Sequence, residues 1–163
     1  MFVRATDPLI LDHSWPLRDL AVHLAPVALD GGVAGDEDAL AERGLGLWHC
    51  DLADDSLRWT VGVYDLFGLD RDDPPSRPRS LACYAPESRA RMEQLRAHAI
   101  AHKCGFTLDI DIVRPDGGNC TVRLITAPLL NGGRVAGLHG VKQFLPRGAA
   151  RSSRLDPTLF DLL

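Results

Sequence analysis

The 163-residue chain has no apolar run approaching the ~18–20 residues that a membrane-spanning helix needs. Its start, Met1-Phe2-Val3-Arg4-Ala5-Thr6-Asp7-Pro8, shows no basic stretch leading into an apolar one, the mark of a secretory leader. A cytoplasmic protein without membrane attachment is the expectation. Cysteine is sparse and scattered. Cys50, Cys83, Cys104 and Cys120 form no C-x-x-C pair, so neither a zinc framework nor a disulfide scaffold is indicated, and reduced thiols are expected. G-x-S-x-G and P-loop sequences are missing, which removes the commonest hydrolase and nucleotide signatures. Lysine is rarer still. Only Lys103 and Lys142 are lysines among 18 basic residues, a skew that matches the coding bias of a GC-rich bacterial genome. With 22 acidic residues the net charge is -4, which argues against a dedicated nucleic-acid binder.

What remains is an ordinary globular composition, 45% hydrophobic and 25% charged, of a size to bury one core. The chain divides into three parts. Residues 1–43 read as a helical extension. Leu17, Leu20, Ala21, Leu24 and Ala25 recur at helical spacing after Pro16, Asp30-Gly31-Gly32 and Gly35 break the pattern, and Asp36 caps a short helix that stops at Gly44. Residues 44–146 change period. Leu45 to Leu52 and Ser56 to Thr60 read as strands, Val61 to Leu69 as a short helix ending at Gly68, and 70–78 as a charged, proline-rich loop. Pro86 to Lys103 is the longest helical stretch, with Met92, Leu95, Ala99 and Ile100 on its apolar face and Gly105 as its stop.

Three strands follow. Phe106, Leu108, Ile110 and Ile112 alternate with Thr107, Asp109 and Asp111, the pattern of a strand with one buried face. Pro115-Asp116-Gly117-Gly118 is a hairpin turn. Cys120 to Ala127 and Arg134 to Leu145 are the last strands, joined by Asn131-Gly132-Gly133. Two strands, helices, then three strands predict an α+β domain. Residues 147–163 form a polar tail that ends in a short amphipathic segment, Leu159-Phe160-Asp161-Leu162-Leu163.

Trp48-His49-Cys50-Asp51, Val63-Tyr64-Asp65-Leu66-Phe67-Gly68, Pro86-Glu87-Ser88-Arg89 and Arg114-Pro115-Asp116-Gly117 stand in an ordered series. At this spacing residues 44–146 resemble a PAS domain of the bacterial subclass with W-x-x-D in its first strand. The resemblance implies a five-stranded antiparallel sheet in the order 2-1-5-4-3, helices on one face and a small cavity between them. It also implies a sensory role without catalysis. Two positions depart from the family pattern. Ala85 stands where a histidine precedes the helix-start proline, and Phe144-Leu145-Pro146 stands where D-I-T leads into an output helix. Proline disfavours a helix continuing directly from the strand.

The cavity walls that the resemblance implies are His49, Tyr64, Phe67, Leu108, Ile110, Ile112, Val122, Leu124, Thr126 and His139, with the two histidines as polar contacts for a ligand. His98 and His102 sit one helical turn apart, and some PAS domains hold haem through this helix. An exposed helix face beside Arg96 and Lys103 is the plainer reading, and no metal site is expected. Gly117-Gly118-Asn119-Cys120 matches half of a flavin-binding signature, but it lies in a hairpin turn and not on a helix. Haem and flavin are therefore disfavoured, and the cofactor is left open. Asp109 and Asp111 read as solvated charges opposite the apolar face.

The function these features support is a stand-alone signalling module that binds a small ligand or a partner. The alternative is a ligand-free adaptor with a solid core. PAS relatives often dimerise through an N-terminal helix, so a homodimer is expected. So is contact with a separate kinase, cyclase or regulator, through Leu17, Leu20 and Leu24 and through Leu159, Phe160, Leu162 and Leu163.

Overall fold

The computed structural model describes residues 7–24 and 36–146. The tail residues Leu159, Phe160, Leu162 and Leu163, and the break over 25–35, lie outside the described residues.

Six antiparallel strands form one sheet. They are β1 (Ser14–Pro16), β2 (Leu45–Asp51), β3 (Ser56–Trp59), β4 (Cys104–Val113), β5 (Asn119–Asn131) and β6 (Arg134–Leu145). The sheet order is β1-β4-β5-β6-β2-β3. The last five of these reproduce the expected 2-1-5-4-3 order, read from the other edge. The difference is β1, a sixth strand drawn from the N-terminal segment. Hairpins fix the register of the centre. Gly132 and Gly133 both take positive φ (59° and 79°), the geometry of a two-residue turn that matches strand twist. Gly117 (φ 90°) turns the β4–β5 hairpin.

The helices are α1 (Pro8–His13), α2 (Leu20–His23), α3 (Glu37–Glu42), α4 (Val61–Phe67), α5 (Arg77–Ala82) and α6 (Pro86–His102). Their ends follow local chemistry. The Asp36 carboxylate accepts a hydrogen bond from the Ala39 N–H at 3.1 Å and caps α3. Asp36→Ala is expected to cost about 1 kcal/mol, measured by urea denaturation. Gly68 closes α4 in the left-handed conformation. α5 was not expected from the sequence, which read as loop up to Pro78. The Ser76 hydroxyl accepts from the Arg79 N–H at 3.3 Å, and a proline sits in its first turn. α6 ends on Lys103 in the left-handed conformation rather than on Gly105. Gly105 lies inside β4, where a Cβ would run into the Trp15 ring.

The N-terminal segment departs most from expectation. The predicted helix over 17–25 is a 3-10 turn (Leu17–Asp19) followed by the single turn α2. The segment wraps the β4 edge of the sheet. Ile10 of α1 joins the core on the helix side, with Phe106, Met92 and Leu95. Trp15 and Leu24 then join Leu40, Leu45, Leu47, Ile125 and Val141 on the outer face. Trp15 is 1% exposed, donates its indole N–H to the Thr107 hydroxyl at 3.1 Å, and stacks on His23 at 4.4 Å. Leu24 is likewise buried, so it is part of this chain's own core and not a partner surface. Leu20 packs partly against the same cluster and Leu17 is half-buried.

Asp109 and Asp111 do lie opposite the helix-side face, but they are not solvated charges. Asp109 is half-buried, its side chain 7% exposed in a two-pronged ion pair with Arg123 at 2.8 and 3.1 Å. Asp111 is half-buried and accepts from the Thr121 hydroxyl at 3.1 Å. The reason is the register of β4 on β5, which sets Asp109 opposite Arg123 and Asp111 opposite Thr121.

Candidate functional site

Strand parity decides which residues meet the helices. On β2 the even positions Trp48 and Cys50 face them, while Leu45 and Leu47 face outward. On β6 the same side is Leu138, Gly140 and Lys142. Opposite, α5 supplies Arg77, Ser80 and Leu81, and α6 supplies Met92 and Arg96. These groups, with Leu57 and Trp59 of β3, Tyr84, Phe106 of β4, and Leu124 and Thr126 of β5, enclose a cavity between sheet and helices. It leaves about 60 Å³ for the centres of water-sized molecules, room for several waters or one small organic molecule.

The walls are apolar and aromatic, yet the polar atoms among them are mostly donors. Lys142 is 4% exposed. Its Nζ lies 4.4 Å from the Trp48 ring centroid and 5.6 Å from that of Phe67, over the electron-rich faces. Burial lowers its pKa from 10.5 to about 7, with the neighbouring Cys50 thiol acting weakly the other way. Among the described residues no acidic side chain offsets that charge. The Trp48 indole N–H and the Thr126 hydroxyl are buried without a hydrogen-bond partner among the described residues. The two arginines are already engaged, Arg77 with Glu93 and Arg96 with Asp55 (3.1 Å).

The thiol on this cavity is not activated. Burial pushes the Cys50 thiol up from its ordinary value, with Arg96 opposing, so the reactive thiolate is disfavoured. Tyr84 is driven upward by burial too.

Of the sequence-predicted wall residues, Leu124 and Thr126 line the cavity. Leu108, Ile110, Ile112 and Val122 point to the same side but are packed solid, each no more than 1% exposed. Phe67 stands behind Lys142, and Tyr64 meets Trp59 edge-on at 5.0 Å. His49 and His139 do not reach the cavity. They are register partners on adjacent strands and share the parity of Leu47 and Val141, which places both on the outer face. Their expected role as polar contacts for a ligand in this cavity is corrected by that register. His98 and His102 stack at 4.3 Å on α6, with His102 exposed.

Sequence reading missed Lys142, Trp59, Arg77, Arg96 and Tyr84. One signal was present. Lys142 has the parity of Leu138, so a lysine stands on the buried side of a central strand. In a chain with two lysines this placement is conspicuous. Arg77 had no such signal, because its helix was read as loop.

No family model matches the chain, and no curated protein matches it. Solved structures do resemble it. A sensory box histidine kinase/response regulator from Burkholderia thailandensis superposes with a TM-score of 0.56 at 14% identity, covering 67% of this chain and 82% of that one. The PAS domain of a protein from Colwellia psychrerythraea gives 0.56 at 15% identity, covering 68% and 93%. An RNA-binding light-oxygen-voltage receptor gives 0.58 at 15% identity over 66% of this chain, which spans 31% of that receptor. At these identities the likeness is one of fold.

Proposed function

Because the chain has the PAS fold, we propose that it is a sensory module that binds a small molecule between sheet and helices and signals through protein contact rather than by catalysis. The observation that carries this reading is the cavity, lined by Trp48 and Thr126, whose buried polar atoms lack hydrogen-bond partners among the described residues. Buried polar groups of folded proteins are normally paired, and a polar pair set among apolar walls is what orients a ligand. A bound molecule favours one arrangement of α5 and α6 over another and shifts the population that a second protein meets. The reading includes a homodimer and a separate signalling protein such as a kinase, cyclase or regulator. Its support is the company of the fold, since similar structures are titled as a histidine kinase/response regulator and a diguanylate cyclase with a PAS/PAC sensor.

One observation favours the ligand-free adaptor as the second reading: Leu108, Ile110, Ile112 and Val122 fill most of the helix-side core. Native mass spectrometry of freshly purified protein separates the two. The sensory reading expects a co-purifying mass that is lost on denaturation. A clean unliganded mass, from protein that no small molecule stabilises, would favour the adaptor.

A further inference from the structure

We propose that the cavity is built for a small carboxylate, with the acid head seated on Lys142 and an apolar body lying against Trp48, Phe106 and Leu138. This rests on the sensory reading above and names the chemistry of its ligand.

The argument is one of complementarity. Lys142 places an ammonium group inside a low-dielectric pocket, 4% exposed, against two aromatic faces and beside a thiol. A charge in that position is costly unless it is paired. Among the described residues no acidic side chain meets it, so the missing partner is an anion that comes from outside. The Thr126 hydroxyl and the Trp48 indole N–H add unpartnered hydrogen-bonding groups on the same walls, and the indole can only donate. A carboxylate accepts from several donors and carries the charge that matches an ammonium. An amine or a metal cation would face Lys142, Arg77 and Arg96 with nothing to meet it. Nucleotides and other phosphate-bearing cofactors are too large for about 60 Å³ of water-centre space. What fits is a single acid group on a compact aromatic or aliphatic body, because Phe106, Leu138 and the ring face of Trp48 offer apolar surface to the rest of the molecule.

Isothermal titration of the full chain at pH 6.5 tests this. The probes are benzoate and hexanoate, with benzamide, benzyl alcohol and benzylamine as the uncharged and cationic counterparts, each run against wild type and Lys142→Met. The expected result is that an acid binds wild type at least tenfold more tightly than any counterpart, and that Lys142→Met loses this preference while remaining folded by circular dichroism. Thr126→Val should weaken the acid by about threefold to tenfold without changing the fold. Equal binding of acid and amide, or an acid preference that survives Lys142→Met, would overturn the inference and leave the sensory reading standing. If none of the five probes binds, at concentrations up to the solubility of each, the inference fails, and the sensory reading is decided separately by the native mass measurement above.

Discussion

Replacing Lys142 with methionine is expected to make the protein more stable at neutral pH, by about 2–4 kcal/mol. Methionine keeps an unbranched chain of similar length and removes the charge. In the folded state burial lowers the lysine from 10.5 to about 7, and each unit of such a shift is worth about 1.4 kcal/mol. Relaxation of the cavity and entry of water reduce the full product to the range given. The sign fixes the pH dependence. Between about 7 and 10.5 the unfolded chain holds the Lys142 proton more firmly than the folded chain does, so the wild type gains stability as pH rises through that window. The advantage of Lys142→Met is therefore full below pH 7 and fades toward pH 10.5. The groups facing the ammonium are Cys50 from β2 and, on the same cavity, Arg77 from α5, Arg96 from α6 and Tyr84. Paired denaturation curves at pH 6, 8 and 10 measure the difference. A methionine variant less stable than wild type at pH 6 would mean that the ammonium is well solvated or paired within the protein. A stabilising loss of this kind is the pattern of a functional group held against the fold's interest.

Trp15→Ala is expected to lose about 3–5 kcal/mol, a large share of the ~5–15 kcal/mol that holds a typical domain together. Trp15 closes the outer face. Its ring covers Gly105 and stacks on His23, and its indole N–H satisfies the Thr107 hydroxyl. β1 itself is three residues long, with register partners Phe106, Gly105 and Cys104, too short to hold the edge of β4 without that anchor. Truncation opens a cavity and leaves Thr107 wanting a partner. Trp15→Phe should keep part of the packing and lose the hydrogen bond, and so fall between the two. Urea denaturation reads both. A loss below 1 kcal/mol for the alanine variant would show that the N-terminal segment adheres without this residue.

The sheet was legible in the sequence because its signals are local and periodic. The alternation of Phe106 through Ile112 and the turns at Gly117 and at Gly132-Gly133 set strand boundaries and register. The edge strand β1 was not legible. Three residues carry no period, and Trp15 gains its meaning only from a glycine 90 positions away, Gly105, which the sequence offered equally well as a helix stop. The cavity was legible in part. The family resemblance named Leu124 and Thr126 among the walls, and both line the cavity. His49 and His139 fell on the wrong side because adjacent parities on β2 are both apolar, Leu45 and Leu47 on one face and Trp48 and Cys50 on the other. A strand buried on both faces does not announce its inner side. Asp109 is hidden by its cross-strand partner Arg123, a pairing that no local pattern announces.

The central claim is that Lys142 sits charged or chargeable in a buried cavity made for an anion. In a chain with only two lysines, a ¹³C-ε lysine-labelled sample gives a spectrum with two signals, and Lys142→Met assigns them by removing one. A pH titration of the Lys142 signal, without and with saturating benzoate, measures the claim most directly. The account predicts a midpoint near 7 in the free protein and a higher one with benzoate, because a bound carboxylate favours the ammonium. A midpoint in the ordinary lysine range of ~10.4, unmoved by the acid, would contradict it.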